Sequence, residues 1–179
     1  MITEAELADG TRAFIWPLLP QDRQALHDGY EELSMETRNH RFLASVPHLT
    51  DAMLDHLVDE VDGVDHVALA LVVIDSDNVG TPVGVARMIR YDDRPTEADL
   101  AVTVVDAWQG HGVASALLAE LVRERPVGVS RIVTTVAADN AASLAMLRRL
   151  GDTTVTSAGS NRLDVVVELA AEPSTEEEP

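Results

Sequence analysis

The stretch 98-ADLAVTVVDAWQGHGVASALLAEL-121 decides how the chain is read. Its first half, 98–106, is apolar and β-branched, as a strand requires. Its second half carries helical spacing from 112 to 124: Val113, Leu117 and Leu121 fall on one stripe, widened by Leu118 and Val122. Between them stand Gly110, His111 and Gly112. The first turn of a helix leaves N–H groups unpaired, and with the helix dipole they form an anion site. Glycine lets an anion approach the backbone and permits left-handed dihedrals. The row from Gln109 to Ala114 therefore offers donors to a phosphate, although an ordinary strand-to-helix turn needs the same glycines for geometry alone. No Gly-Lys-Ser/Thr follows, which excludes a Walker loop, and no third glycine stands where a dinucleotide fingerprint needs one.

Working outward, the same alternation of strands and helices continues on both sides. Upstream, 66-HVALALVVID-75 and 83-VGVARMIRY-91 read as strands joined through the turn residues of 76-SDNVGTP-82, and after the polar connection 92–97 they form an antiparallel sheet with 98–106. Earlier still, 12-RAFIWPLL-19 reads as a short strand ended by proline. Helices are expected over 21–33, from Ser34, and after an N-cap at Thr50. Downstream, the strand 131-RIVTTVA-137 precedes a helix over 140–150, capped by Asn140 and ended by Gly151. A closing hairpin, 153–159 with 161–169, completes a mixed α/β sheet, parallel only where a helix crosses over.

At 179 residues and 46% hydrophobic content the chain has enough apolar mass for one compact domain, expected over 1–171, followed by an acidic tail at 172–179. No apolar run approaches a membrane span, and the N-terminus lacks the order of a signal peptide, so a cytoplasmic location is the default expectation. There is no cysteine, and the six histidines lack metal-ligand spacing, so no metal site is expected. A net charge of −18 repels nucleic acid and anionic membranes.

Two motifs in this frame are specific. Gln109-Gly110-His111-Gly112-Val113-Ala114 resembles the Gln/Arg-x-x-Gly-x-Gly/Ala signature of the GNAT superfamily of acyl-CoA-dependent N-acetyltransferases, and 139-DNAASLAMLRRLG-151 resembles its second cofactor segment. One helix and one strand separate the two, as in that superfamily. A finer resemblance, carried by 33-LSMETRNHRF-42, 46-VPHLTDAMLDHL-57 and 64-VDHVALAL-71, is to the branch containing bacterial protein-lysine acetyltransferases. Members of that branch often carry extra domains, for which this chain has no room.

The resemblance implies a mixed, mostly antiparallel sheet with a splayed parallel strand pair, and acetyl-CoA as donor. Pantetheine would lie against Val102, Thr103 and Val104. The pyrophosphate would meet the N–H groups of Gln109, Gly110, His111, Gly112, Val113 and Ala114, with Asn140 and Ser143 completing the cofactor site. His111, where Arg or Lys is frequent, either adds a positive charge or is a solvated turn residue. Asn140 either contacts pantetheine, caps its helix, or does both.

The acceptor is an amine, protonated near neutral pH, so a base must remove a proton before attack. The lysine-acetylating branch places a Glu where this chain has Asp99, which alternation sets on one face with Ala101 and Thr103, opposite Leu100, Val102 and Val104. A polar residue at a strand start is the plain alternative. His66 is a second candidate base, against a reading as a core histidine. Where many members have a Tyr that protonates the departing thiolate, this chain has Leu147; Tyr91 and Tyr30 are the remaining phenols outside that position.

Four readings follow. The first is an N-acetyltransferase acting on a protein lysine through a ternary complex. The others are a small-molecule amine acetyltransferase of polyamine or aminoglycoside type, a non-catalytic acyl-CoA-binding module, and a phosphate-binding domain outside the superfamily. Dimers are common in the superfamily, so a homodimer is compatible with the resemblance.

Overall fold

The computed structural model describes residues 2–75, 77 and 79–170; the acidic tail expected at 172–179 lies outside them. Among the described residues eight strands form one sheet, in the order β1-β2-β3-β4-β5-β6-β8-β7. They are β1 (Thr3–Glu6), β2 (Arg12–Pro17), β3 (His66–Ile74), β4 (Gly80–Tyr91), β5 (Arg94–Val104), β6 (Arg131–Ala137), β7 (Gly151–Gly159) and β8 (Arg162–Leu169). Helices α1 (Arg23–Glu31), α2 (Met35–Phe42) and α3 (Asp51–Leu54) lie between β2 and β3. Helix α4 (Val113–Arg123) joins β5 to β6, and α5 (Ala141–Leu147) joins β6 to β7. No helix among the described residues is long and apolar enough to cross a membrane.

Pairing follows the connections. The β3-β4-β5 meander is antiparallel throughout, because short turns return the chain beside itself. β5 and β6, joined through α4, are the parallel pair. The hairpin β7–β8 enters the sheet by β8.

Alternation divides the sheet into two apolar faces. Val67, Leu69, Leu71, Met88 and Leu100 pack with Val113, Leu117 and Leu121 of α4 in the larger core. On the other face, Ala68 and Ala70 pack with Tyr30, Leu33, Leu54, Leu57 and Val58 beneath the first three helices. Gly84 makes the α4 contact close: a Cβ there would stand 2.8 Å from Val113 Cγ1 and 3.0 Å from Leu117 Cδ1.

Three expectations need correction. The N-terminal residues, read only for targeting signals, form β1, whose Thr3 hydroxyl donates to the buried Glu120 at 2.8 Å. The connection 92–97 is largely strand, because β5 begins at Arg94 after a tight turn. Gly151 does not end α5. The helix stops at Leu147 and Gly151 opens β7, where a Cβ would lie 1.9 Å from the Glu168 carbonyl oxygen. The expected cap at Thr50 is present, accepting the Met53 N–H at 3.2 Å, but α3 then widens into a π-helical turn over Asp55–Asp59.

Gly84→Ala is expected to cost about 1–3 kcal/mol, since the new methyl overlaps two side chains that anchor the first turns of α4. Urea unfolding of the two proteins checks this; an unchanged midpoint would show that α4 can withdraw freely.

Candidate functional site

Helix α4 starts from Gly112, whose φ of 91° is left-handed, and Gly110 two residues earlier has a φ of 81°. No side chain caps this end. The first intrahelical bond runs from Ala116 N–H to Gly112 C=O, so the N–H groups of Val113, Ala114 and Ser115 face outward without a helical acceptor. Gln109 differs from expectation: its N–H donates to Asp106 C=O at 3.2 Å, which removes it from the row of free donors. Its side-chain amide donates instead to Thr37 Oγ1 at 3.2 Å and to Val104 C=O at 3.3 Å.

His111 has two readings in sequence, a charge for the anion or a turn residue, and its ring makes contacts of its own. Its Nδ1 lies 3.0 Å from Gln109 C=O, its Nε2 lies 3.9 Å from Asp9, and its ring stands 5.4 Å from Trp108. The imidazole therefore turns away from the free N–H groups. Its own carbonyl accepts the Ala8 N–H at 3.0 Å, which pins the glycine turn to the β1–β2 connection.

Beside this turn the sheet opens. β5 and β6 pair only at Glu97↔Arg131 and Ala98↔Ile132. The Leu100 carbonyl then takes the Thr134 hydroxyl at 3.3 Å, and further along the two strands share no backbone partner. β5 remains bonded to β4 as far as Gly84↔Val104, so one edge of 102–104 faces a gap. A groove of about 850 Å³ runs through it. Its walls include Val102, Thr103, Val104, Gln109, Gly110, Gly112, Val113, Ala114, Asn140 and Ser143. Every expected cofactor contact thus converges on one groove except His111. Asn140 does serve as N-cap, its side-chain oxygen accepting the Ser143 N–H at 3.0 Å, which leaves its amide nitrogen for the groove.

Several groove residues gave no sequence signal. Glu6, Leu7 and Ala8 arrive with β1, and Arg41 and Arg149 supply cations. Helix α2 is held over the groove by Asp106, whose carboxylate accepts from Ser34 N–H at 3.0 Å, the Ser34 hydroxyl at 2.7 Å and the Thr37 hydroxyl at 2.9 Å. Burial pushes the Asp106 carboxyl up, but these donors outweigh it and hold it below the ordinary range. A single acid in a turn has no pattern that would announce such a clamp.

The candidate bases separate. Asp99, Ala101 and Thr103 do share a face, since they lie opposite Ile89, Arg87 and Val85 of β4. Asp99 is half-buried and acts electrostatically on Arg41 and Tyr91. His66 lies in the same cross-strand row, opposite Ile89, but is 5% exposed, and its Nε2 stands 3.2 Å from the Arg87 Nη1. Burial, then Arg87 and His56, lowers its pKa to about 4. A neutral imidazole whose ring nitrogen already accepts from a guanidinium is a poor proton acceptor, so His66 reads as core. The phenols are likewise committed: Tyr30 donates to Val46 C=O at 2.5 Å and Tyr91 to Val133 C=O at 3.0 Å. Leu147 is buried in the larger core.

Two further cavities adjoin the groove. One, between the first three helices and the sheet, shares Arg41 and Thr103 with it and is walled by Tyr30, Leu57, Ala70, Val85, Arg87 and Ala101 among others. The other is an open depression sharing Glu36 and His40, and it adds Asp139, Ser160, Asn161 and Arg162.

Comparison with known proteins agrees with this geometry. Residues 26–152 match the profile of the acetyltransferase (GNAT) family. Over 147 residues the chain is 35% identical to the protein named Acetyltransferase Pat from Mycolicibacterium smegmatis, covering 82% of this chain and 43% of that protein. It is 30% identical over 116 residues to Acetyltransferase PA5475 from Pseudomonas aeruginosa, covering 65% of this chain and 61% of that one. The chain thus spans about half the length of these curated relatives. The crystal structure of the GNAT domain of S. lividans PAT superposes with a TM-score of 0.79 at 28% identity, over 94% of this chain and 97% of that one.

The buried imidazole of His66 sets a pH test. Its folded pKa of about 4 lies below the ordinary 6.5, so above pH 6.5 both folded and unfolded states carry it neutral. Between pH 6.5 and 4 the unfolded chain takes a proton that the folded chain refuses, and stability falls. His66→Gln should flatten the decline measured between pH 6.5 and 5 by thermal unfolding; an identical slope in both proteins would mean the imidazole titrates freely.

Proposed function

The chain belongs to the acetyltransferase (GNAT) family, and from that membership we propose that it moves an acetyl group from acetyl-CoA to a primary amine, with a lysine on a protein surface as acceptor and both substrates bound together. The observation that carries this reading is the groove itself. It begins at the uncapped start of α4, passes the bare backbone edge of 102–104, and meets the face of the sheet that holds Asp99. That sequence of features suits a pyrophosphate, a pantetheine arm rich in amides, and a thioester, in that order. Arg149, at the groove's rim, is exposed and offers a further cation to a phosphate.

The acceptor fits the open depression. Glu36 attracts an ammonium there, Asp139 stands 3.3 Å from His40, Arg162 is turned to the Leu43 carbonyl at 2.8 Å, and the open shape suits a side chain presented by a large partner. In the reaction the amine nitrogen attacks the thioester carbon, a C–N bond forms, and the C–S bond breaks. Of the two protons that leave the ammonium nitrogen, one goes to solvent before attack and the other, released as the amide forms, goes to Asp99. Because Asp99 precedes Thr103 by four residues, roughly 13 Å along a strand, ordered water would carry that proton. The sulfur departs as a thiolate; with Leu147 unable to donate and both tyrosine hydroxyls engaged, it takes its proton from solvent.

The test is amine-dependent release of CoA thiol. The chain contains no lysine of its own, so acetyl-lysine found by mass spectrometry belongs to the acceptor. Release with lysine-bearing proteins but not with polyamines supports the protein-lysine reading, and no release with any amine favours a binding module. Asp99→Asn should lower kcat by about 10²- to 10⁴-fold while leaving acetyl-CoA affinity intact. An unchanged kcat would clear Asp99 of the base role. Gly112→Glu should abolish acetyl-CoA binding in a folded protein, because a side chain at a φ of 91°, with its Cβ 3.3 Å from Ala8 N, strains the turn and brings a negative charge to the uncapped helix start.

A further inference from the structure

Arg87 stands on β4 at only 4% exposure, inside a largely apolar cavity. Its Nη1 donates to Leu57 C=O at 2.8 Å, a carbonyl within the π-helical turn, and faces His66 Nε2. Its Nε and Nη2 have no hydrogen-bond partner among the described residues. Neither nitrogen is fully sealed, since neither is among the solvent-inaccessible side-chain atoms without a hydrogen bond in the described residues. Arg41 lines the same cavity, lies over the Phe42 ring at 4.7 Å, and makes no hydrogen bond to the described residues. Among the described residues neither guanidinium has a carboxylate at ion-pair distance. Burial lowers the pKa of Arg87 to about 9, and repulsion from Arg41 adds to that effect.

Two cations in an apolar cavity with donors to spare are unstable company unless an anion joins them. The carboxylates nearby are Asp22, which accepts the Leu19 N–H at 2.8 Å, and Asp99, whose charge favours Arg41. Asp99 offsets one of the two positive charges at most. The cavity is small, about 100 Å³, and it opens to the groove at Arg41 and Thr103, where a thioester would stand. It has room for a short chain and none for a second substrate. The same positive charge repels an ammonium, so this cavity is not the entrance for the amine.

Building on the acyl-CoA reading above, we propose that this cavity is an acyl-chain site for a short dicarboxylic acyl thioester such as succinyl-CoA, with Arg41 and Arg87 receiving the terminal carboxylate. Small walls at Ala70, Ala101 and Val85 take the methylenes, and the two guanidinium groups take the charged end. The transfer step is unchanged. The amine nitrogen bonds to the acyl carbon, the C–S bond breaks, the amine proton goes to Asp99 through water, and the far carboxylate remains a spectator.

Calorimetric titration of the full chain with CoA, acetyl-CoA, butyryl-CoA and succinyl-CoA tests this without any knowledge of the acceptor. Butyryl and succinyl chains have the same carbon count and differ in the terminal charge. Succinyl-CoA should bind about 10- to 100-fold more tightly than butyryl-CoA, the scale of a charge-assisted hydrogen bond. Arg87→Met should erase that preference with acetyl-CoA affinity unchanged, and Arg87→Lys should restore part of it. Equal or tighter binding of butyryl-CoA by the unaltered protein, which needs no variant to fold, overturns the proposal while leaving the acyltransferase reading in place. Failure of all four ligands to bind would instead remove the acyl-CoA reading beneath it.

Discussion

The structure depends on a place where two strands stop pairing. Parallel β5 and β6 hold together for two residue pairs and then part. A buried strand edge without partners is costly, so the divergence needs other acceptors and donors. The Thr134 hydroxyl satisfies Leu100 C=O at the point of parting, and the Tyr91 hydroxyl reaches Val133 C=O from the end of β4. Beyond them the edge of 102–104 has no partner in β6 and borders the groove. β8 restores the pairing on the far side of β6, so the gap is a slot in a continuous sheet.

Everything that borders the slot is fixed by a distinct local device. Gly84 lets α4 sit close enough for its first turn to point into the groove, and the left-handed Gly112 aims the N–H groups there. The β1–β2 connection holds that turn through the Ala8 to His111 bond. Asp106 clamps α2 across the opening. The two faces of the sheet then take different work. The face under α4 is aliphatic and closes the larger core, whereas the other carries Asp99, Arg87 and His66 beneath the first three helices.

Much of this was legible in residue order. The strand-to-helix turn at Gly110–Gly112, the two faces of β5, the cap at Asn140 and the parallel pair each have a period-2, period-3.6 or capping signature that short-range physics enforces. The misses are of another kind. β1 is four residues of unremarkable composition that become a strand only because β2 offers an edge. Gln109 sits where a backbone donor was expected, yet Asp106 C=O takes its N–H, and His111, open to a reading as a charge or as a turn residue, lies beside Asp9 and Trp108. His66 and Arg87 are 21 residues apart and form one buried contact.

The sequence by itself determined the alternation of elements, the family, and most of the residues that line the groove. These rest on spacings of a few residues, where backbone geometry leaves little freedom. Only the tertiary structure decided which of two candidate bases stays accessible, which arginines share one cavity, and which depressions adjoin the groove. Those are properties of burial and of charges brought together from distant segments, and burial is a sum over neighbours that no short stretch contains.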